Sequence, residues 1–383
     1  LEPAVIRTTD DWDIKEEWFE TALADDLITD FYLINTAFGA NTVIEEFALR
    51  TKKPMGPNPF KMYGQVAFAS SVRRGADVIF SLSWPELKDK LLCLRAEKAL
   101  RTANILLAPR FGGDKAMAGG TDTFDSLCLA RDTFGTNFRY VNVHELMDYL
   151  SPLSEEGNHT TPGRKTMNVT PEEIAWCEEL AESLMADASE CQIAKKFLVN
   201  SLKAYKVVDK VMDYYDCSGF AAPCPDACST RRLNEEQFTF CLTHSLERGV
   251  GSACEYDVTS VLCMILEMAL TGKAAYMGNT LPAPLGPDGE VNFSDPKYSA
   301  PIEGDKNNLY LVSHSTPCRC LHGFDKLDDF ALRHFALDAG FGAIQRHDFN
   351  DDKGQVITMI RISSDCNEMF IGRGEIVAGF GYD

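Results

Sequence analysis

Three groups of residues have types and spacings that could do chemistry. The first is Cys224-Pro225-Asp226-Ala227-Cys228, which follows the small-residue stretch Gly219–Pro223. The second is Ala253-Cys254-Glu255-Tyr256-Asp257, set directly before an apolar helical stretch, Val258–Thr271. Two carboxylates at i and i+2 ahead of a helix lie where the unpaired N–H groups of its first turn favour anions. In a cleft such a pair could bind a hard or borderline cation, or move protons. Equally, Asp257 could be only an N-cap and Glu255 only a surface charge. The third group is His314, His322, His334 and His347, four of the chain's seven histidines. Imidazole with carboxylate suits Mn²⁺, Zn²⁺ or Fe²⁺, although any one such ring can equally be a hydrogen-bonded core or loop residue.

The thirteen cysteines offer rival chemistry. Cys224 and Cys228 together with Cys318 and Cys320 could form a thiolate zinc site, but neither spacing is the usual C-x₂-C pair. Cys241 and His244, three apart, could pair as nucleophile and base. The glycine-rich turn over 112–120 matches neither the dinucleotide nor the P-loop signature, so no motif supports a nucleotide site.

The elements that must position these groups read as alternating helices and strands. Asp11–Ala24 is an acidic amphipathic helix, Phe31–Ile34 a buried strand within Leu27–Asn35, and Thr42–Arg50 a helix. Ala76–Leu82 is a strand, and a long helix runs from Trp84 to about Thr102. A second unit opens with the strand Asn104–Ala108, followed by helix Thr123–Arg131, strand Phe138–Val143 and helix His144–Leu150. Such alternation predicts parallel sheets covered by helices. Ser151–Asn168 is a loop by composition, and Pro171–Tyr215 is long and helical with a strong start signal. Beyond Gly272 the strands Leu309–Val312, Gly342–His347, Val356–Ser363 and Glu375–Gly379 are short and turn-separated, which predicts an antiparallel sheet or small barrel. The expected division is an N-terminal α/β domain over 1–107, a second α/β domain over 108–244 and a β-rich catalytic domain over 245–383.

Composition bounds the partners. The 383 residues carry a formal net charge of −20, which repels phosphate backbones and anionic lipid. Nucleic acid and membrane are therefore disfavoured, whereas neutral small molecules and divalent cations are not. The cysteines are odd in number and several sit inside apolar runs, so they are expected to be reduced thiols in a cytoplasmic protein. No window approaches a membrane span.

The stretch Phe240-Cys241-Leu242 through Leu246-Glu247-Arg248-Gly249-Val250, then Ala253-Cys254-Glu255-Tyr256-Asp257 and Leu270-Thr271-Gly272-Lys273, resembles the L-fucose isomerase / L-arabinose isomerase superfamily, closest to its shorter L-fucose isomerase-like members. The similarity continues through Tyr276-Met277-Gly278-Asn279, Val312-Ser313-His314-Ser315-Thr316-Pro317, His334-Phe335 and Gly374-Glu375-Ile376. Upstream, Cys224-Pro225-Asp226 resembles the family's first acidic motif, with Asp where classical members carry Glu. The resemblance implies two Rossmann-like α/β domains followed by a C-terminal mixed domain with an antiparallel β-barrel. It implies a homo-oligomer, trimeric or hexameric, and aldose–ketose isomerisation of a monosaccharide or sugar derivative with Mn²⁺ or a similar ion. Carried over, Asp226 and Glu255 or Asp257 would be the acidic ligands and the acid/base pair. His334 would be the imidazole ligand, and His314 a second ligand or substrate contact. The alternative is a non-catalytic or diverged sugar-binding member of the same superfamily.

Overall fold

The computed structural model describes residues 5–9, 11–36, 40–61, 63–110, 122–153, 167–228, 236–246, 249–287, 290–291, 302, 306–335 and 340–382, apart from the Asp226 side chain. The glycine-rich turn over 112–120 lies outside the described residues. The chain separates into two compact units, Leu1–Arg95 and Ala96–Asp383.

The first unit contains α1 (Glu16–Ala24), β1 (Tyr32–Ile34), α2 (Asn41–Arg50), β2 (Met55–Pro57) and α3 (Gln65–Arg73). Strands β1 and β2 pair in parallel, Tyr32 opposite Met55, and Met55 makes a single parallel bridge to Val78. The strand expected over Ala76–Leu82 is reduced to that bridge. Phe19, Ile44, Phe47, Met55 and Phe68 form the core of this unit. Helix α4 (Trp84–Thr102) occupies the predicted span and runs across the boundary into the second unit.

In the second unit follow β3 (Asn104–Leu107), α5 (Leu127–Phe134), β4 (Asn137–Tyr140), α6 (Val143–Asp148), α7 (Pro171–Asp187), β5 (Glu190–Cys191), α8 (Lys195–Tyr214) and β6 (Gly219–Ala221). Then come α9 (Cys224–Cys228), α10 (Cys241–Ser245), β7 (Gly251–Ala253) and α11 (Val258–Thr271). The remaining strands are β8 (Asn279–Pro282), β9 (Tyr310–Ser313), β10 (Ala331–Arg333), β11 (Ile344–Arg346), β12 (Val356–Ile362) and β13 (Met369–Glu375).

The central sheet has the order β4-β3-β6-β7 and is parallel throughout. Ile105, Leu106 and Leu107 of β3 are buried in one cluster with Val207, Val208 and Val211 of α8 and Val261, Leu262 and Ile265 of α11. A parallel strand covered on both faces reads as a continuous apolar run, and each such side chain contributes about 1.5–3 kcal/mol on burial. Gly219 and Gly251 admit close packing on β6 and β7. A Cβ on Gly219 would lie 2.6 Å from Ile105 Cδ1 and 2.8 Å from Val261 Cγ1, and one on Gly251 2.7 Å from the Val261 carbonyl oxygen. The first turn of α11 is thereby held against β7, the strand that leads into Cys254.

Two departures from expectation have local causes. The helix expected over Pro171–Tyr215 is two helices: Ala188 turns extended at ψ 132°, and Glu190 and Cys191 leave to pair in parallel with Ala331 and Leu332. A 2.6 Å ion pair between Arg333 and Glu190 secures that crossing. The expected C-terminal barrel is also not what the described strands build. They form separate antiparallel pairs, β8 with β9 and β12 with β13, and the three-stranded β11-β10-β5 sheet, with no closed barrel among the described residues. The final strand is β13, ending at Glu375, rather than Glu375–Gly379. The central sheet also spans the expected boundaries, since it takes β3 from before 108 and β7 from after 245.

Candidate metal centre

The carboxyl ends of adjacent parallel strands are where open α/β sheets place ligands, because loops there leave the sheet in divergent directions. Here β6 is followed by Ala222-Pro223-Cys224 and β7 by Cys254-Glu255-Tyr256. The two loops are tied by a backbone hydrogen bond from Tyr256 N to the Ala222 carbonyl oxygen, 2.9 Å. Glu255 and Tyr256 are both in the left-handed region, at φ 59° and 56°. Non-glycine residues occupy it at an energetic cost, and consecutive ones concentrate at sites where side-chain direction matters.

Two donor groups meet at Cys254. In one, ligand atoms of Cys254, Glu255 and His314 all lie within 4.8 Å of one another; in the other, those of Cys224, His244 and Cys254 do. The Glu255 carboxyl is pushed above the usual carboxylate range, first by burial and then by the charges of Cys254, Asp122 and Asp257. Burial pulls the His314 imidazole down, which keeps it neutral and able to donate a lone pair. Its Nδ1 lies 3.3 Å from the Thr316 hydroxyl, and its carbonyl oxygen accepts from Tyr276 Oη at 3.1 Å, fixing the loop after β9.

The second group is deeper. Cys224 Sγ lies 3.1 Å from His244 Nε2, and His244 Nδ1 lies 2.6 Å from Ser252 Oγ. The imidazole stacks on Phe220 at 5.5 Å between centroids. Burial raises the Cys224 thiol, whereas hydrogen bonds from Cys224 and Cys241 hold Cys254 well below the ordinary thiol range. Cys254 is thus the sulfur of this nest most disposed to be a thiolate.

The candidates named from sequence fall out differently. Glu255 and His314 come together. The Asp226 side chain lies outside the described residues. Asp257 is the N-cap of α11: it is buried and accepts from Ser260 N at 3.0 Å, Thr259 Oγ1 at 2.5 Å and Ser260 Oγ at 2.7 Å. Arg361 of β12 donates at 2.5 Å to Oδ2, the oxygen that also accepts from Ser260 Oγ. Asp257 therefore joins neither donor group. His334 follows β10 and packs edge-on against Phe197, 5.6 Å between centroids, and it too joins neither group. His322 and His347 share Asp352, at 2.8 and 2.7 Å, with Asp328 2.7 Å from the other side of His322.

All thirteen cysteines are free thiols. Cys318 and Cys320 touch each other at 3.6 Å but join neither donor group. His244 turns its Nε2 to Cys224 rather than to Cys241, its neighbour in sequence. The pairing of Cys224 with His244 and Ser252 was not anticipated. The available signal was Cys-Pro directly after one small-residue strand and Ala-Cys-Glu directly after another. Among the described residues no helix is long and apolar enough to cross a membrane. No model of a known protein family matches the chain, and no curated protein matches it.

Proposed function

We propose that the chain is a metal-dependent aldose–ketose isomerase of the L-fucose/L-arabinose isomerase type, working at the carboxyl edge of the central sheet. The observation that carries the reading is the convergence of Glu255 and His314, beside Cys254, on that edge. Their chemistry fits a divalent ion: a carboxylate and an imidazole kept neutral by burial are donors for Mn²⁺ or a close relative. Such an ion, when bound, would hold the two vicinal oxygens of an open-chain sugar and offset the charge of an enediolate.

The protein's own groups supply the proton movement. Glu255 takes the proton from C2 and returns it to C1 while the O2 hydroxyl proton passes to O1, so the aldehyde becomes a hydroxymethyl group and C2 a ketone with no net change in atoms or electrons. Burial makes its carboxyl a weaker acid than an ordinary glutamate, which strengthens the carboxylate as a base. The reading brings with it Rossmann-like character for the parallel units and a trimeric or hexameric assembly.

The test is deuterium entry at C2 of candidate aldoses, followed by NMR in D₂O with the purified chain and added Mn²⁺. Exchange is expected with at least one aldose, and Glu255→Gln should slow it about 10²–10⁴-fold. Absence of exchange with every aldose and divalent ion overturns the isomerase. The engagement of Asp257 by Arg361 and the placement of His334 outside both donor groups favour a second reading, a diverged sugar-binding member. Saturable sugar binding without exchange would select it.

A further inference from the structure

The deeper donor group is chemically unlike the one assigned to catalysis. Its atoms are thiol sulfurs and an imidazole nitrogen, contributed from α9, α10 and the residue after β7. We propose that Cys224, His244 and Cys254 form a buried zinc site that locks the ends of β6 and β7 together.

Four observations support this. The ligand atoms of Cys224, His244 and Cys254 already lie within 4.8 Å of one another. The bond lengths of tetrahedral zinc, ~2.3 Å to sulfur and ~2.0–2.1 Å to nitrogen, require donor separations of roughly 3.4–3.8 Å. The 3.1 Å between Cys224 Sγ and His244 Nε2 reaches that range with a shift of a few tenths of an ångström. Second, the three donors come from separate elements, α9, α10 and the residue after β7, which the parallel pairing of β6 with β7 brings together. Third, His244 is oriented as metal-bound histidines are: its remote nitrogen is held by an oxygen, Ser252 Oγ at 2.6 Å, and its face by Phe220. Fourth, all three donors are buried, as a structural site requires, and neither cysteine is consumed by a disulfide.

A catalytic thiol is a poorer account of the same atoms. Cys224 is only 1% exposed, so substrate would have no approach to a nucleophile there. Sulfur-rich donors also select zinc over manganese, and the carboxylate–imidazole donors next to them suit the harder ion. The two groups share Cys254, so zinc would steady the residue that precedes the left-handed pair Glu255 and Tyr256. This assignment does not depend on the isomerase reading.

The experiment is metal replacement in the intact chain. After removal of bound metal under reducing conditions, Co²⁺ is titrated in and the near-ultraviolet thiolate-to-cobalt charge-transfer band is followed, with Zn²⁺ as competitor. The expected result is saturation near about one equivalent, an intense visible band of tetrahedral cobalt and displacement by Zn²⁺. Cys224→Ser should abolish the charge-transfer band, and Ser252→Ala should weaken Co²⁺ binding about 10–100-fold while preserving the band at saturation. Glu255→Gln and His314→Gln should leave both band and affinity unchanged. Absence of the band in the unmodified chain, its survival in Cys224→Ser, or its loss in Glu255→Gln overturns the proposal. Because Cys224→Ser could fail to fold, the Ser252→Ala affinity and the Glu255→Gln spectrum each decide independently. Loss of sugar exchange with the cobalt band intact would remove the isomerase and leave the zinc site standing.

Discussion

At the scale of single residues, Asp257 illustrates how a motif can hold two neighbouring carboxylates with separate tasks. Glu255 points into a donor group, whereas Asp257 spends its oxygens on Thr259, Ser260 and Arg361. Removing the charge leaves the Arg361 guanidinium without its buried partner. Losing one member of a buried pair costs about 3–5 kcal/mol, and because the Arg361 side chain is 39% exposed the expected loss is nearer 2 kcal/mol. Asp257→Asn should therefore lower urea stability by about that amount and leave Co²⁺ or Mn²⁺ affinity of the folded fraction intact. A metal affinity that falls by more than tenfold, with stability unchanged, would return Asp257 to the ligands. Residue types made Glu255 and His314 legible as candidates, because a carboxylate and an imidazole in those settings are scarce and chemically specific. The Cys224–His244 contact was not legible in the same way. It exists because β6 and β7 are sheet neighbours, a fact of topology that no local pattern encodes.

At the scale of elements, α11 is the clearest case of sequence and packing agreeing. Asp257 caps its start, Gly272 ends it at φ 70°, and its apolar face meets the central sheet. Its one discordant group is Glu267. Burial alone pushes that carboxyl up to about 7 from an ordinary value of 4.5. A carboxyl that holds its proton longer when folded favours the folded state at low pH. That advantage disappears as pH rises between those two values. At 1.36 kcal/mol per unit the full effect is about 3 kcal/mol, and partial exposure reduces it. Glu267→Gln should remove this group's share of the fall in urea stability between pH 5 and 8, and above pH 7 the variant should be more stable than the parent by about 1–3 kcal/mol. Equal pH profiles for the two chains would show that the carboxyl is solvated. The same scale shows where patterns stop. Trp84–Thr102 was readable end to end, since a long periodic run with local hydrogen bonds decides itself. Glu190–Cys191 was not, because a two-residue strand inside a helical composition is imposed by β10, far along the chain.

At the scale of the whole molecule, the division into 1–95 and 96–383 sets unequal stabilities. The first unit rests on a two-stranded parallel sheet of three residues per strand and a core centred on Phe19, Ile44, Phe47 and Phe68. The second has a four-stranded parallel sheet with a far larger buried cluster. Two strands alone are marginal in water, and small units bury a lower fraction of their surface than large ones. Unfolding should therefore not be two-state. Trp12, Trp18 and Trp84, three of the four tryptophans, belong to the first unit and Trp176 to the second. In a urea titration, tryptophan fluorescence should fall at a lower midpoint than far-ultraviolet circular dichroism. Phe47→Ala, which removes a side chain buried among Phe19, Ile44 and Phe68, should move only the fluorescence midpoint, at a cost of about 3–5 kcal/mol. Ile105→Val on β3 should move only the later transition, by about 0.5–1.5 kcal/mol. Coincident midpoints by both probes, shifted together by either substitution, would mean that the chain unfolds as one cooperative body. The stability of the donor groups would then depend on the first unit as much as on the sheet that carries them.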